Sequence, residues 1–285
     1  MRDKNYGILL TTPALVFFVF VLAVPVIMAV INSFSPIWSG KVSEFTLNNY
    51  KNLVDDPVFI ATFWNTIFFV SSTVGFHLVL GLIIALALNK EIPMMRFFRV
   101  IAILPWTIPD SISGLIWRFM FDPMSGVINQ VLTFFHVIND PIEWLSIPGF
   151  ALGCVIFADI WRGYPFVMLI LLAGLQSIPE EYYEASKVDG ANAFKRFVYI
   201  TVPHLKTMII ISLALDTVWQ FRRFGLIYTM TGGGPGTQTE ILASLVQKQY
   251  FRFFNFEYAS AMALFNAFVI FIITLPYVRI MIREE

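Results

Sequence analysis

The chain has 285 residues, of which 58% are hydrophobic and 13% are charged, and its formal net charge at pH 7 is zero. Soluble domains carry about 25% charged residues, so this composition excludes an ordinary soluble protein and leaves no room for a sizeable domain outside a membrane. The zero net charge gives no indication of a nucleic-acid partner, and none is expected; the single cysteine, Cys154, excludes a disulfide within the chain.

Six apolar stretches are long enough, or nearly so, to cross a membrane as helices, which takes about 20 apolar residues. The first follows two basic residues, but its apolar run is too long for a signal peptide, and we expect it to be retained. Pro105 and Pro109 are expected to kink the third. The pattern predicts an all-α polytopic membrane protein with one transmembrane domain over residues 1–285. The spans are predicted near residues 8–31, 65–88, 100–121, 150–175, 207–230 and 258–281.

Basic residues are distributed unequally between the two sides of these spans. Lys and Arg in short loops stay on the cytoplasmic side of a membrane. One side has eleven such residues and the other has four, so both termini are predicted to be cytoplasmic. The eleven are Arg2, Lys4, Lys90, Arg96, Arg99, Lys187, Lys195, Arg196, Lys206, Arg279 and Arg283, and the four are Lys41, Lys51, Lys248 and Arg252.

A polar interruption, residues 177–203, separates the fourth span from the fifth. Ser177 followed by Glu180 is the pattern of a capping box, which starts a helix. Gly190 can adopt the left-handed conformation that ends one, and a second short helix is predicted from there to Pro203. The segment is expected to form two helices joined by a tight turn on the cytoplasmic face; a solvated surface connector is the alternative.

Charged residues inside the third, fourth and fifth spans are candidates for function, because a charge at the centre of a bilayer costs at least about 2.5 kcal/mol. They are Asp110, Arg118, Asp159, Arg162, Asp216, Arg222 and Arg223. On the fifth span, Asp216, Trp219, Gln220 and Arg223 have the spacing of one helix face. An indole beside polar groups is suited to a polyol; a pairing of Asp216 with Arg223 that holds helices together is the alternative.

The sequence offers no pattern for catalysis. His77, His136 and His204 are too scattered for a metal site, and no nucleophile has a base partner. The glycine-rich residues 231–238, TGGGPGTQ, lack the lysine of a phosphate-binding loop. We therefore expect no enzyme activity, no catalytic residue, no metal and no cofactor in this chain, and ATP hydrolysis would have to occur on another polypeptide.

The polar interruption carries the pattern of a known family. It closely resembles the EAA loop of ABC importer permeases, in which E-A-A is followed after three residues by G and after nine more by I-x-L-P. Ser186 and Val202 replace the alanine and the leucine of that pattern. The matching residues are Glu184, Ala185, Ser186, Gly190, Ile200, Val202 and Pro203.

The resemblance extends over most of the chain. Four segments are similar to the carbohydrate-uptake subfamily, which includes the maltose and glycerol-3-phosphate permeases: residues 104–126, 161–166, 175–191 and 231–239. In that family the EAA loop forms the coupling helix, which sits in a groove of the ATPase subunit. The resemblance therefore implies a coupling role for Glu184, Ala185, Ser186, Asp189, Gly190, Ala191, Ile200 and Pro203.

The resemblance also implies a substrate site. Positions that contact sugar in the maltose permease match Arg162, Gly163, Phe166, Asp216, Trp219, Gln220 and Arg223. The maltose permease has small or amide polar groups where this chain has Asp216 and Arg223, so maltose itself is not the expected substrate. A neutral oligosaccharide is the first expectation. An acidic polyol, such as glycerol-3-phosphate or a uronic-acid sugar, is the alternative, because Arg binds carboxylate and phosphate groups well.

These features together lead us to expect a permease subunit of an ATP-driven ABC importer in the inner membrane of a prokaryote, moving a sugar by alternating access. The implied partners are a second homologous permease, two copies of a cytoplasmic ATPase that uses ATP and Mg²⁺, an extracellular solute-binding protein and membrane lipid. Two other classes stay open: an ion-coupled secondary transporter with a proton site at Asp159 or Asp216, and a membrane-embedded enzyme.

Overall fold

The computed structural model describes residues 2–35, 45–90 and 93–284, and the side chains of residues 11–35, 45–90 and 93–282. All regular structure in these ranges is helical, and they contain no strand, so the all-α prediction is confirmed. Lys41, one of the basic residues assigned to the outer side, lies outside the described residues.

The helices of the described chain are joined by connections of different lengths. In chain order they are α1 (Arg2–Ser33), α2 (Asn48–Asp55), α3 (Pro57–Leu88), α4 (Met95–Thr107), α5 (Asp110–Met120), α6 (Val127–Phe134), α7 (Phe150–Gln176), α8 (Glu180–Val188), α9 (Ala193–Arg196), a π-helical turn (Phe197–Thr201), α10 (Val202–Phe221), α11 (Gly225–Met230), α12 (Leu242–Phe251) and α13 (Phe256–Glu284).

Five helical segments of the described chain are long and apolar enough to cross a membrane. A sixth span results if the bent pair α4 and α5 counts as one. The apolar composition and the number of these segments are those of a multi-pass membrane protein. The five are Thr11–Ser33, Pro57–Leu88, Phe150–Gln176, Ala193–Phe221 and Phe256–Ile282.

The third predicted span is broken rather than kinked. Helices α4 and α5 meet at an angle of 96°, with Ile108 and Pro109 between them. Pro109 has no backbone N–H to continue the helical bonding, and the Ile108 N–H closes α4 by bonding to the Pro105 carbonyl. Non-helical backbone at membrane depth requires other partners for its polar groups. Arg162 supplies one, because its Nε donates to the Ile108 carbonyl at 3.1 Å.

The fifth predicted span, residues 207–230, has different boundaries in the structure. The helix is continuous from Ala193 through the π-helical turn to Phe221, and it ends there. After residues 222–224, α11 packs along α5. Gly225 permits this close approach, since a Cβ on it would lie 3.0 Å from the Cβ of Asp110. The expected span therefore consists of one long helix followed by a separate short one.

The chain divides into two compact units, and the prediction of one domain over residues 1–285 stays a prediction. One unit contains residues 1–60 and 245–268. In it, the Tyr258 hydroxyl donates to Asp56 at 2.8 Å, and Asn49 Nδ2 donates to the Ser33 and Ser35 carbonyls at 2.9 Å. These bonds tie α13 and the end of α1 to the short helix α2 and its surroundings.

The other unit contains residues 61–244 and 269–285. Two apolar clusters fill it, one around Phe69, Trp117 and Phe221 and the other around Leu171 and Leu205. Helix α7 contributes to both clusters, and its side chains are buried along most of its length. This unit holds every residue of the site described below.

The packing of α5 against α11 leads to the first prediction. A Cβ on Gly114 would overlap Oγ1 of Thr229 and would lie 2.7 Å from the Leu226 carbonyl oxygen. Since backbone cannot yield as a flexible side chain does, we expect Gly114→Ala to lower the free energy of unfolding by about 1–3 kcal/mol. The matched control is Gly75→Ala on α3, where nothing lies within 4 Å of the added carbon. Thermal unfolding in detergent measures both, and equal effects would contradict the prediction.

Candidate functional site

A cavity of about 350 Å³ lies among α4, α5, α7 and α10. Six of the seven residues predicted to contact substrate line it, and the seventh, Gln220, is buried beside them. The role of these residues stays a prediction, but the fold brings them to one place. The lining residues are Trp106, Thr107, Asp110, Arg162, Gly163, Phe166, Asp216, Trp219 and Arg223.

Two arginines meet on one carboxylate at the wall of this cavity. Arg162 Nη2 lies 2.7 Å and Arg223 Nη1 lies 2.9 Å from Oδ1 of Asp110. Asp110 is in the first turn of α5, where the helix dipole favours a negative charge. The break in the third span therefore places a carboxylate on the helix end that stabilises it, within reach of both guanidinium groups.

Asp159 is the most enclosed carboxylate of the site, with a side chain that is 0% exposed. Arg223 Nε lies 3.0 Å from its Oδ1, but the N–H of this nitrogen is directed at Gln220 Oε1, 3.2 Å away. The contact with Asp159 is therefore an ion pair without a hydrogen bond, and neither carboxylate oxygen of Asp159 accepts a hydrogen bond from the described residues. A buried charge in this position depends on its counter-ion.

His77 of α3 completes the polar network from behind the cavity wall. Its Nδ1 lies 2.8 Å from Asp216 Oδ2, and its Nε2 lies 3.1 Å from the backbone carbonyl oxygen of Asp159. A carbonyl can only accept, so Nε2 carries a hydrogen. The imidazole and the Asp216 carboxyl then share one further proton between Nδ1 and Oδ2. Gln220 Nε2 donates to the other Asp216 oxygen at 3.1 Å.

Asp216 and Arg223 each bind other residues, which differs from the alternative prediction that they pair with each other. Asp216 binds His77 and Gln220, whereas Arg223 bridges Asp110 and Asp159. The single-face prediction also needs correction, because α10 ends at Phe221 and Arg223 lies beyond it. Arg223 reaches the site from the turn that follows the helix.

An aromatic wall faces the charged one. The rings of Phe166 and Trp219 have centroids 4.4 Å apart, and Trp106 stacks on Phe166 at 6.1 Å with planes 25° apart. The Trp219 side chain is among the exposed large apolar groups, at 40%. Rings of this kind next to paired acids and bases provide one flat apolar surface and one surface that can exchange hydrogen bonds.

Sequence reasoning missed five members of this arrangement, of which Thr107 is one. Asp110 and Asp159 were noted as membrane charges but were not assigned to the site, and Trp106 and His77 were not assigned at all. A signal existed for His77, since it is the one ionisable residue within the apolar run of α3, and such residues are functional candidates by default. Nothing in the spacing along the chain could link it to Asp216, 139 residues away.

The segment between α7 and α10 differs from prediction at its start and agrees at its turn. Helix α8 begins at Glu180 without a side-chain cap. The predicted Ser177 cap is wrong, because the Ser177 hydroxyl donates to the Gly174 carbonyl at 2.7 Å and so closes the end of α7. Gly190 ends α8 with a φ of +74°. The Ala191 and Gly190 N–H groups bond back to Ser186 and Lys187, a helix-ending arrangement that favours glycine.

The second half of this segment is joined directly to the site. Asn192 caps α9 by accepting the Lys195 N–H at 2.9 Å, and the Tyr183 hydroxyl lies 3.0 Å from Thr201 Oγ1 in the π-helical turn. From Ala193 the helix continues without a break to Phe221. One continuous helix therefore joins residues 193–201 to Asp216 and Trp219. Within the part of the chain that the structure describes, no three His, Cys, Asp or Glu side chains are grouped to hold a metal.

Comparison with known proteins agrees with the predicted class. Over 288 aligned residues, the chain is 36% identical to the sulfoquinovosyl glycerol transport system permease protein SmoG of Agrobacterium fabrum. The alignment covers 100% of this chain and 93% of that protein. The chain is 33% identical to the trehalose/maltose transport system permease protein MalF of Thermococcus litoralis, with 98% of this chain and 94% of that protein covered.

A solved structure shares the fold. It is a bacterial alginate ABC transporter in complex with an alginate pentasaccharide-bound periplasmic protein. The TM-score is 0.83 and the sequence identity is 22%, and the alignment covers 97% of this chain and 93% of that chain.

Residues 77–281 match the model of the family described as binding-protein-dependent transport system inner membrane component. The chain therefore belongs to that family, whose members are transport subunits and not enzymes.

Proposed function

We propose that this chain is the permease subunit of an ATP-driven ABC importer that carries a sugar or oligosaccharide across the cytoplasmic membrane by alternating access. Family membership supports the transport role, and the carbohydrates in the names of SmoG and MalF support the substrate class. The observation that carries the proposal is the cavity itself, where Trp219 and Phe166 face Asp216 and the two arginines. A sugar presents an apolar ring face and hydroxyl edges, which match these two walls.

The charges of the site favour an uncharged sugar. Arg162 and Arg223 are already paired with Asp110, and Arg223 is paired with Asp159 as well. An acidic substrate would have to compete with these carboxylates for the guanidinium groups, whereas hydroxyl groups can bond to an arginine and a carboxylate that stay paired. The second candidate is an acidic polyol, which is favoured by the two arginines that line the cavity.

The proposal includes partners and an orientation. A second homologous permease would complete the pathway, two ATPase copies would bind ATP and Mg²⁺, and an extracellular binding protein would deliver the sugar. The EAA-like residues, Gly190 among them, would dock on the ATPase at the cytoplasmic side, where both termini would also lie. Support comes from the family description as a binding-protein-dependent inner membrane component and from the turn formed at Gly190.

The test is ATP hydrolysis by the complete complex reconstituted in proteoliposomes. Loaded binding protein is supplied with neutral sugars (trehalose, maltose and longer glucosides) or with acidic ones (glucuronate-containing disaccharides and glycerol-3-phosphate). We expect at least one neutral sugar to stimulate hydrolysis and to accumulate in the lumen. Stimulation by the acidic compounds alone would favour the second candidate. Solute transport by the purified chain in the absence of an ATPase would contradict the importer and favour an ion-coupled transporter.

The aromatic wall leads to a prediction about affinity. Trp219→Ala removes the ring that contacts Phe166 and lines the cavity. We expect sugar binding to weaken about threefold to tenfold, the equivalent of roughly 0.5–1.5 kcal/mol for an aromatic contact. Equilibrium binding of radiolabelled sugar to the detergent-solubilised complex measures the change. Trp64→Ala, which removes an exposed tryptophan of α3, is the control, and a similar loss in both variants would place the sugar elsewhere.

A further inference from the structure

We propose that His77 is a positioning residue of the substrate site, which fixes the carboxylate of Asp216 at the cavity wall and requires residue 163 to be glycine. This inference rests on the proposed function for the identity of the ligand. Its basis is the contact among three helices, α3, α7 and α10, at the level of the cavity.

The imidazole lies behind the cavity and does not line it. Its side chain is 0% exposed, and both ring nitrogens are used, one for Asp216 and one for the backbone carbonyl of Asp159. A polar side chain in an apolar helix is costly unless it is fully bonded. The Asp216 carboxyl, in contrast, lines the cavity. His77 is therefore placed to orient a group that meets the ligand without meeting the ligand itself.

Gly163 provides the second, independent observation. A Cβ on this residue would overlap Cε1 and Nε2 of the His77 ring, which fills the space beside the backbone of α7. The ring is held in place by hydrogen bonds from Nδ1 to Asp216 and from Nε2 to the Asp159 carbonyl. Gly163 was expected to contact sugar. That contact stays a prediction, and the geometry adds that the missing side chain of Gly163 makes room for the imidazole.

The same contact connects the helices on either side of the proposed coupling segment. Helix α7 leads into residues 177–203, and the helix that begins at Ala193 leads out of them to Asp216. His77 bonds to both, through the Asp159 carbonyl on α7 and the Asp216 carboxyl on α10. Because α7 and α10 are joined here, a loss of this contact changes the relative position of the two walls that hold the ligand.

Two conservative variants separate the two hydrogen bonds. In His77→Asn the amide nitrogen takes the place of Nδ1 and can still donate to Asp216. In His77→Gln the amide nitrogen takes the place of Nε2 and can reach only the Asp159 carbonyl. We expect sugar binding to the solubilised complex to weaken less than threefold in His77→Asn and more than tenfold in His77→Gln and His77→Ala. Similar binding in the Asn and Gln variants, whether weak or strong, would overturn the positioning role.

Thermal unfolding of each complex separates positioning from general damage. The Asn variant loses the bond to the neutral Asp159 carbonyl, and the Gln variant loses the stronger, charge-assisted bond to Asp216, so a purely structural role predicts losses of sugar binding that simply follow the losses in melting temperature. We expect melting temperatures within a few degrees of each other together with the unequal binding described above. Gly75→Ala, a change on the same helix with open space around it, is the control for substitution on α3.

A double-variant cycle tests the claim about Gly163. We expect Gly163→Ala to weaken sugar binding more than tenfold in the wild-type background and less than twofold when His77→Ala is also present, because the smaller side chain removes the overlap. Gly153→Ala is the matched control on α7, with nothing within 4 Å of the added carbon. An equal loss in both backgrounds would show that Gly163 serves the ligand or another neighbour, and would contradict the proposal.

The outcomes for the inference and for the proposed function can be told apart. Sugar binding by the wild-type complex is measured first, and its absence over the whole panel contradicts the proposed function. The melting temperatures of the Gly163→Ala and His77→Ala cycle then decide whether the predicted contact exists. If the wild-type complex binds sugar and the His77 variants bind it equally well, the proposed function stands and the inference fails.

Discussion

Arg223→Met is expected to lower the free energy of unfolding by about 3–5 kcal/mol, the usual cost of removing one partner of a buried ion pair. Arg223 is 9% exposed and faces two carboxylates, Asp110 and Asp159. Asp110 keeps Arg162 as a partner after the change, but Asp159 keeps only the more distant Nε2 of His77, 3.9 Å from its Oδ2, and lies in the interior without a hydrogen-bond donor. The cost therefore comes mainly from the Asp159 carboxylate, which loses its nearest counter-ion.

The neighbouring arginine offers a matched control. Arg222 is exposed, and Arg222→Met removes the same charge and adds the same side chain one position away. We expect its effect to stay within about 0.5 kcal/mol. Denaturant or thermal unfolding in detergent measures both variants. A cost of similar size for the two arginines would mean that the buried network contributes nothing beyond a surface charge.

A second substitution tests the assignment of the cost to Asp159. Arg223→Met combined with Asp159→Leu leaves no isolated charge, and replacing a buried pair by apolar residues of similar size is often neutral. We expect the double variant to recover at least half of the stability that Arg223→Met loses. If Asp159→Leu gives no recovery, Asp110 or the Gln220 hydrogen bond accounts for the effect. Sugar binding should stay impaired in the double variant, because a residue that lines the cavity is still missing.

The fold could be predicted from sequence where local rules decide it. Long apolar runs gave the membrane-crossing helices, and Gly190 marked the end of α8. Prediction was wrong where a polar group had two possible partners. Ser177 could cap α8 or close α7, and it closes α7. The break at Pro109 was expected only as a kink, and the Arg162 side chain that bonds to the Ile108 carbonyl at the break comes from a position 54 residues away.

The site could be predicted in part for the same reason. Asp216, Trp219 and Gln220 share one helix face, so spacing alone brought them together. Arg223 was assigned to that face by spacing but reaches the site from beyond the helix end. Resemblance to a family added Arg162, Gly163 and Phe166. His77 and Asp110 could not be found this way, since contacts 139 and 113 residues apart depend on how helices pack and not on periodicity.

The structure also changes how the arginines are understood. On sequence alone they were potential ligands for an acidic substrate. In the fold, Arg162 satisfies a carbonyl freed by the broken span and binds Asp110, and Arg223 bridges two carboxylates. Both arginines therefore stabilise the fold in the absence of substrate. Because both arginines already bind carboxylates of the protein, their presence does not indicate that the substrate is negatively charged. For this reason we propose a neutral sugar as the first candidate.

Gly190→Asp is expected to reduce substrate-stimulated ATP hydrolysis by the complex to less than a tenth of the wild-type rate. Gly190 has a φ of +74°, a conformation that costs a residue with a side chain about 1–2 kcal/mol. Nothing lies within 4 Å of a Cβ at this position in the chain alone, so the added carboxymethyl group projects outward from the turn. If this turn docks on the ATPase, the carboxylate meets the partner's surface and prevents substrate from stimulating hydrolysis.

Two further variants distinguish docking from backbone strain. Gly190→Asn has nearly the same shape and adopts positive φ at similar cost, but it is uncharged, and we expect it to retain more stimulated activity than Gly190→Asp. Gly236→Asp adds the same charge at a φ of +59°, also with open space, in the glycine-rich loop after α11. We expect stimulated hydrolysis to be retained there. Since strain and charge are matched in the two Asp variants, a loss confined to residue 190 is attributable to the surface it contacts, whereas equal losses at both positions would remove the case for coupling through this turn.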